Sequence, residues 1–189
     1  MYKLICRIAL LAIAFTGTSA LAQDAPPPRA SYLVNAGDTL EISVWKEPDL
    51  QREVLVRPDG GISFPLAGDL QAEGQTVTQI RAELESRLSR FIPDLVITVS
   101  MMDVSGNRIY VLGQVNEPGA FVMNPELDVM QALSLAGGTG PFASLDDIRI
   151  LRREAGRQLA LRFDFTEVSK GRELAQNIPL RSGDVVVVP

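Results

Sequence analysis

Residues 109–141 read IYVLGQVNEPGAFVMNPELDVMQALSLAGGTGP, and these 33 residues hold a strand, a turn, a second strand, a capped helix and a glycine exit. Ile109 to Val115 is rich in β-branched and apolar side chains, the composition of a strand. Glu117-Pro118-Gly119-Ala120 predicts a type II turn, with Pro118 presetting φ at the first central position and Gly119 taking the positive φ at the second. The chain is therefore expected to double back through Ala120 to Met123 as a hairpin. Asp128 stands three residues before Gln131, so its side chain can accept from the first helical N–H groups while Gln131 reaches back. Val129, Met130, Leu133 and Ala136 then share one helical face, and Gly137, followed by Gly138, supplies a left-handed exit. The stretch is half a sheet with a helix laid on it.

Outward toward the C-terminus, Ile148 to Arg153 and Leu159 to Phe165 read as strands around a loop at Ala155-Gly156. A short helical or irregular piece runs to Lys170, and Arg181-Ser182-Gly183-Asp184 turns the chain into Val185 to Val188. Two strands, a helix and two or three further strands make the inventory of a β-grasp sheet curled around one helix. A domain of that size buries only ~60% of its unfolded surface, so it is expected to lean on a neighbour.

Toward the N-terminus, Tyr32 to Val34 opens a first unit. Leu40, Ile42 and Val44 alternate with Thr39, Glu41, Ser43 and Trp45, the period of a strand with one buried face. Val54 and Val56 mark another strand, Pro58-Asp59-Gly60-Gly61 a turn, and Ile62 to Leu66 a return whose Pro65 predicts a sheet edge. Thr76 and Gln79 form a second capping box before Val77, Ile80, Leu84 and Leu88, with Arg81, Glu83, Glu85 and Arg87 on the other faces. Pro93-Asp94 stops that helix. Leu95, Ile97, Val99 and Met101 then alternate up to a turn at Ser105-Gly106-Asn107. One echo links the two units: Ala36-Gly37-Asp38 and Ser182-Gly183-Asp184 each put Gly-Asp before a strand, where the aspartate is expected to bond its own downstream N–H. Both aspartates are read as structural.

Residues 1–22 carry Lys3 and Arg7, an apolar run over Ile8 to Phe15 and small residues at Ala20 and Ala22, the pattern of a leader cleaved before Gln23. Its apolar run is far below the ~20 residues of a spanning helix. Cys6 precedes that run, so a lipid-modified cysteine is not expected, and the processed chain has no thiol. Gln23 to Ser31, with three consecutive prolines, reads as an extended tether. The chain contains no histidine, which removes the commonest general base and metal ligand. Processing leaves 16 of 18 basic residues against 23 acidic ones, a net charge of −7. Arg149, Arg152 and Arg153 are one short cluster on a strand edge, which is not a phosphate-neutralising patch, so nucleic acid is not an expected partner.

A nucleophilic triad fails without histidine or a mature cysteine. Asp146 with Asp147, or Glu41 with Asp38, are carboxylate pairs on paper, and nothing places either across a sugar at the ~5–9 Å that glycoside chemistry needs. Gly137-Gly138-Thr139-Gly140 follows a helix rather than preceding one, so it cannot cradle a phosphate as a P-loop does. Trp45 and Lys46 lie at a strand end, where an exposed Trp stacks on a sugar ring and a packed one serves the core. The expectation is no catalytic residue, no metal and no cofactor.

Tyr32 to Trp45 (YLVNAGDTLEISVW), Val56 to Gly68 (VRPDGGISFPLAG) and the helix entered at Gly74-Gln75-Thr76 resemble the polysaccharide export domain of bacterial capsule and exopolysaccharide exporters. Tyr110 to Phe121 (YVLGQVNEPGAF), Ala132 to Gly138 (ALSLAGG), the strand ending in Leu151-Arg152-Arg153, and Ser182 to Pro189 (SGDVVVVP) resemble the soluble-ligand-binding β-grasp (SLBB) module that follows it. The implied fold class is α+β: a tether over 23–31, an export domain over 32–104 and one SLBB domain over 108–189. Gly37, Asp38, Asp59, Gly60, Gly113, Pro118, Gly119, Gly137, Gly138, Gly183 and Asp184 are the structural motif residues, and Trp45, Lys46, Gln114 and Asn116 the candidate ligand contacts.

The resemblance implies a periplasmic homo-oligomeric ring associated with the outer membrane, passing polysaccharide from an inner-membrane co-polymerase without hydrolysing it. Family members that cross the outer membrane themselves carry an acylated cysteine, further β-grasp repeats and a C-terminal amphipathic helix. Here the last strand runs to Pro189, so the expectation is a collar delivering polymer to a separate channel. A periplasmic carbohydrate-binding or sensory module is the alternative, and a polysaccharide lyase or hydrolase a weaker third.

Overall fold

The computed structural model describes residues 31–189, so the expected leader and all but the last residue of the tether lie outside the described residues. The first half of the described chain runs β1 (Thr39–Val44), β2 (Glu47–Leu55), β3 (Gly61–Phe64), β4 (Gly68–Gln71), α1 (Val77–Leu88) and β5 (Ile97–Asp103). A three-stranded antiparallel sheet has the order β2-β1-β5, and β3 with β4 forms a separate two-stranded arm. The alternation read in the sequence places Leu40, Ile42 and Val44 in the core. Ile80, Leu84 and Leu88 of α1 meet them there, together with Ile62, Phe64 and Leu70 of the arm. Each such side chain contributes about 1.5–3 kcal/mol by leaving water. Both halves of the Thr76–Gln79 capping box are formed.

Two strands depart from expectation. β2 begins at Glu47, well before Val54, and buries only Leu50 and Val54, so the pairing with β1 rather than apolar pattern holds its first half. β4 has the sequence Gly-Asp-Leu-Gln, poor in strand formers, and exists because β3 pairs with it from Gly61–Gln71 to Phe64–Gly68. Arg57 clamps the arm, donating to Asp59 Oδ1 at 3.1 Å and to Asp69 Oδ1 at 3.0 Å. Asp59 titrates below the usual carboxylate range because of Arg57 and the Gly61 N–H, and Asp69 because of Ser63 and Arg57. A carboxyl lowered on folding stabilises above its unfolded pKa and loses that contribution as pH falls through the folded one. A ¹³C carboxyl titration is expected to place both midpoints below ~3.9, and Arg57→Gln to move both upward.

The second half runs β6 (Arg108–Gly113), β7 (Gly119–Val122), α2 (Val129–Leu135), β8 (Ile148–Glu154), β9 (Arg157–Phe163), α3 (Phe165–Ser169), a 3₁₀ turn (Leu174–Gln176) and β10 (Val185–Val188). The sheet order is β7-β6-β10-β8-β9, with β10 parallel to β6 and every other pair antiparallel. The first and last strands thus lie side by side, and α2 packs Val129, Ala132 and Leu133 against Ile109, Val111, Ile150 and Val186, a β-grasp arrangement. The capping box of Asp128 and Gln131 is formed, while Met130 is only half-buried and Ala132 takes the core position.

The predicted type II turn at 117–120 is corrected. Gly119 already belongs to β7, opposite Val111, and the positive φ falls on Gly113 at 99°. Residues 114–118 form a longer link because the helix exit holds them: Asn116 N–H donates to the Gly138 carbonyl, Glu117 N–H to that of Ala136, and Val115 pairs with Thr139. The arginine cluster is corrected too. β8 lies between β10 and β9, away from either edge, and Arg152 is buried. Among the described residues no helix is long and apolar enough to cross a membrane.

Candidate functional site

The Gly-Asp echo is a repeated piece of three-dimensional structure. Gly37 and Gly183 sit at φ 94° and 85°, and each N–H donates across to a neighbouring strand end, to Val56 O and Arg108 O respectively. Each aspartate is fully buried and accepts the N–H three residues before it: Asn35 N to Asp38 Oδ2 at 2.8 Å, Arg181 N to Asp184 Oδ2 at 2.8 Å. The expected downstream bond is therefore corrected to an upstream one, because the turn folds its own start over the carboxylate.

The two copies differ in what completes them. Asp38 also accepts from the Tyr32 hydroxyl at 2.7 Å and, through Oδ1, from Gly106 N at 2.9 Å, which ties the first half to the segment entering the second. Burial, and then Asp38 itself, push the Tyr32 hydroxyl pKa up, so it stays a donor. Asp184 instead receives Arg152: Nε to Oδ1 at 3.0 Å and Nη2 to Oδ2 at 2.6 Å, with Nη2 also donating to Pro179 O at 3.0 Å. Every donor around these carboxylates belongs to the fold, which leaves neither acid available for proton transfer.

Trp45 and Lys46 form the tight link between β1 and β2. Trp45 is 68% exposed, which decides against core packing, and Lys46 sits at φ 66°. They line a shallow hollow of about 360 Å³ with Glu47, Gln51, Val96 and Thr98. Gln114 and Asn116 are elsewhere, at the exit of α2. The Asn116 side chain donates to Gly137 O at 2.6 Å, and the Gln114 carbonyl accepts from Gly140 N. The sequence candidates are thus split between two places, and Asn116 is engaged in holding a turn. Of the paper carboxylate pairs, Asp147 is bound by Arg149 and Glu41 accepts from Gln51. No acid cluster able to hold a metal occurs among the described residues.

Sequence reading missed the open face of the five-stranded sheet. Between buried Ile109 and Val111, Tyr110 points away from α2 and is 46% exposed. It heads a row across all five strands, Ala120–Tyr110–Val185–Leu151–Ala160. The alternation Arg108, Tyr110, Leu112 was the signal, and it was hidden by the glycine motifs around it.

Residues 26–102 match the family described as polysaccharide biosynthesis/export protein, and residues 107–188 match the SLBB domain. Curated relatives include the EPS I polysaccharide export outer membrane protein EpsA of Ralstonia nicotianae, 29% identical, covering 83% of this chain and 47% of the relative. The polysialic acid transport protein KpsD of Escherichia coli is 26% identical over 80% of this chain and 27% of its own length. The capsule polysaccharide export outer membrane protein CtrA of Neisseria meningitidis serogroup A is 25% identical over 82% and 43%. The chain thus spans about half the length, or less, of the curated relatives it matches.

Proposed function

This chain belongs to the polysaccharide biosynthesis/export protein family, its export domain followed by an SLBB domain, and we propose that it is a non-enzymatic component of a bacterial exopolysaccharide or capsule export machine. The observation that carries this reading is the ordered pair of domains spanning 26–188, joined to relatives whose names specify polysaccharide export. It acts in the periplasm, at the outer membrane, as an oligomeric collar that receives polymer from an inner-membrane co-polymerase and hands it to an outer-membrane channel. The proposed division is a leader over 1–22, a tether over 23–31, an export domain over 32–104 and an SLBB domain over 108–189. Two separate hydrophobic cores, one within residues 34–99 and one within 109–188, support that boundary.

Open sheet edges support self-association. Two small sheet domains in tandem suit a head-to-tail contact between adjacent copies that closes into a ring. β2, β5, β7 and β9 end their sheets and offer unpaired backbone for it. Light scattering on the purified protein is expected to show a discrete oligomer, and deletion of the gene to abolish surface or secreted polysaccharide. A chain that stays monomeric at every concentration, in a cell whose glycan coat survives the deletion, would sink the reading.

A further inference from the structure

We infer that the open face of the five-stranded sheet carries a saccharide-binding trough for carboxylate-bearing sugars, centred on Tyr110. Two hollows of about 390 and 520 Å³ meet there, within the size range of small-ligand sites, and Tyr110, Ser182 and Gly183 line both. The first is bounded by Arg108 and the second by Arg153 and Gln158. The register Tyr110–Val185–Leu151, extended by two residues, sets Arg108, Gly183 and Arg153 in one cross-strand row, and the Gly183 N–H donates to Arg108 O. The two arginines therefore stand about 10 Å apart across one intervening strand. The residue between them has no side chain, and a Cβ added at Gly183 would meet nothing within 4 Å. The floor is open.

Most other arginines of this half are engaged, Arg149 by Asp147, Arg152 by Asp184, Arg162 by the Asp146 carbonyl, Arg172 by Glu167 and Arg181 by Glu154, and Arg157, at the start of β9, lines neither hollow. Among the described residues no carboxylate lies within 4.0 Å of Arg108 or Arg153, and only the Arg108 Nε is bonded, to Ser105 O. A planar fork of N–H donors facing solvent suits a carboxylate bidentately. The Tyr110 ring beside it offers an apolar face for the C–H face of a pyranose, with a hydroxyl free to hydrogen-bond. Aromatic plate, glycine floor and two guanidinium groups without a carboxylate partner together favour an acidic glycan over a neutral one. The net negative charge of the chain keeps that contact weak, which suits a polymer that must move on.

The inference rests on the export reading only in making the bound glycan the cargo. Trigalacturonate, titrated into the ¹⁵N-labelled purified protein, is expected to shift the amides of Tyr110, Arg153, Ser182 and Gly183 with a Kd of about 1 mM. Maltotriose should bind at least about tenfold more weakly, and Arg108→Gln, Arg153→Gln and Tyr110→Ala, all exposed positions, should each cost about tenfold while leaving the rest of the spectrum in place. Equal response to both sugars, or no response of these amides, overturns the proposal. So does a shift that follows protein concentration instead of sugar, since the occupant is then a second copy. Binding that persists in a protein whose deletion spares the glycan coat would instead defeat the export reading and leave the trough standing.

Discussion

Replacing Arg152 by methionine should destabilise the protein by about 3–5 kcal/mol, measured by urea unfolding, because it strands a carboxylate in the core. Asp184 is 1% exposed and loses its three closest guanidinium contacts, at 3.0, 3.2 and 2.6 Å. Only the Arg181 N–H would still face it. The guanidinium also ties Pro179 O to β8, so the 3₁₀ turn and the return into β10 loosen together. Arg152→Lys keeps the charge as a single point and should fall between the two. Removing both charges with Arg152→Met and Asp184→Leu should recover most of the loss, leaving about 1 kcal/mol for the turn that Asp184 closes. A single-variant cost under about 1 kcal/mol would show the pair to be solvated, contrary to its burial.

Asp38→Ala should cost at least about 3 kcal/mol, since hydrogen bonds to a charged acceptor contribute about 1.5–3 kcal/mol each and three donors converge on it. The larger consequence is for the connection between the two cores. Substantial contacts between strands and helices sit within each half, and Gly106 is where the halves are fastened: its N–H reaches Asp38, and its carbonyl accepts from Ser182 Oγ at 3.0 Å. The variant is expected to split one unfolding transition into two, seen as separate hydrogen-exchange protection of α1 and α2. Gly106→Ala tests the same point without touching the carboxylate. An added Cβ would overlap the Ala36 carbonyl oxygen and crowd Asp38, pushing the junction apart while Tyr32 and Asn35 keep their bonds. Retention of a single transition in both variants would refute the fastening role.

The two longer helices, α1 and α2, were legible because their signals are local: a capping residue, its partner three residues on, and a 3.6-residue apolar period. The strands with strict alternation, β1 and β5, were legible for the same reason. Trp45, Lys46, Gln114 and Asn116 were picked by residue type, and type says nothing of neighbours. The structure separates them and binds Asn116 to the helix exit.

The two capping boxes with the amphipathic helices they open, and the alternating strands β1 and β5, follow from side chains within a few residues of one another, and for these the sequence alone sufficed. Tertiary structure decided what each buried aspartate does, since Asp38 finds Gly106 and Asp184 finds Arg152 across 68 and 32 residues of chain. It also decided that β4 is a strand and that Tyr110 and Arg153 stand on one face, because pairing register is set between segments and no segment carries it alone.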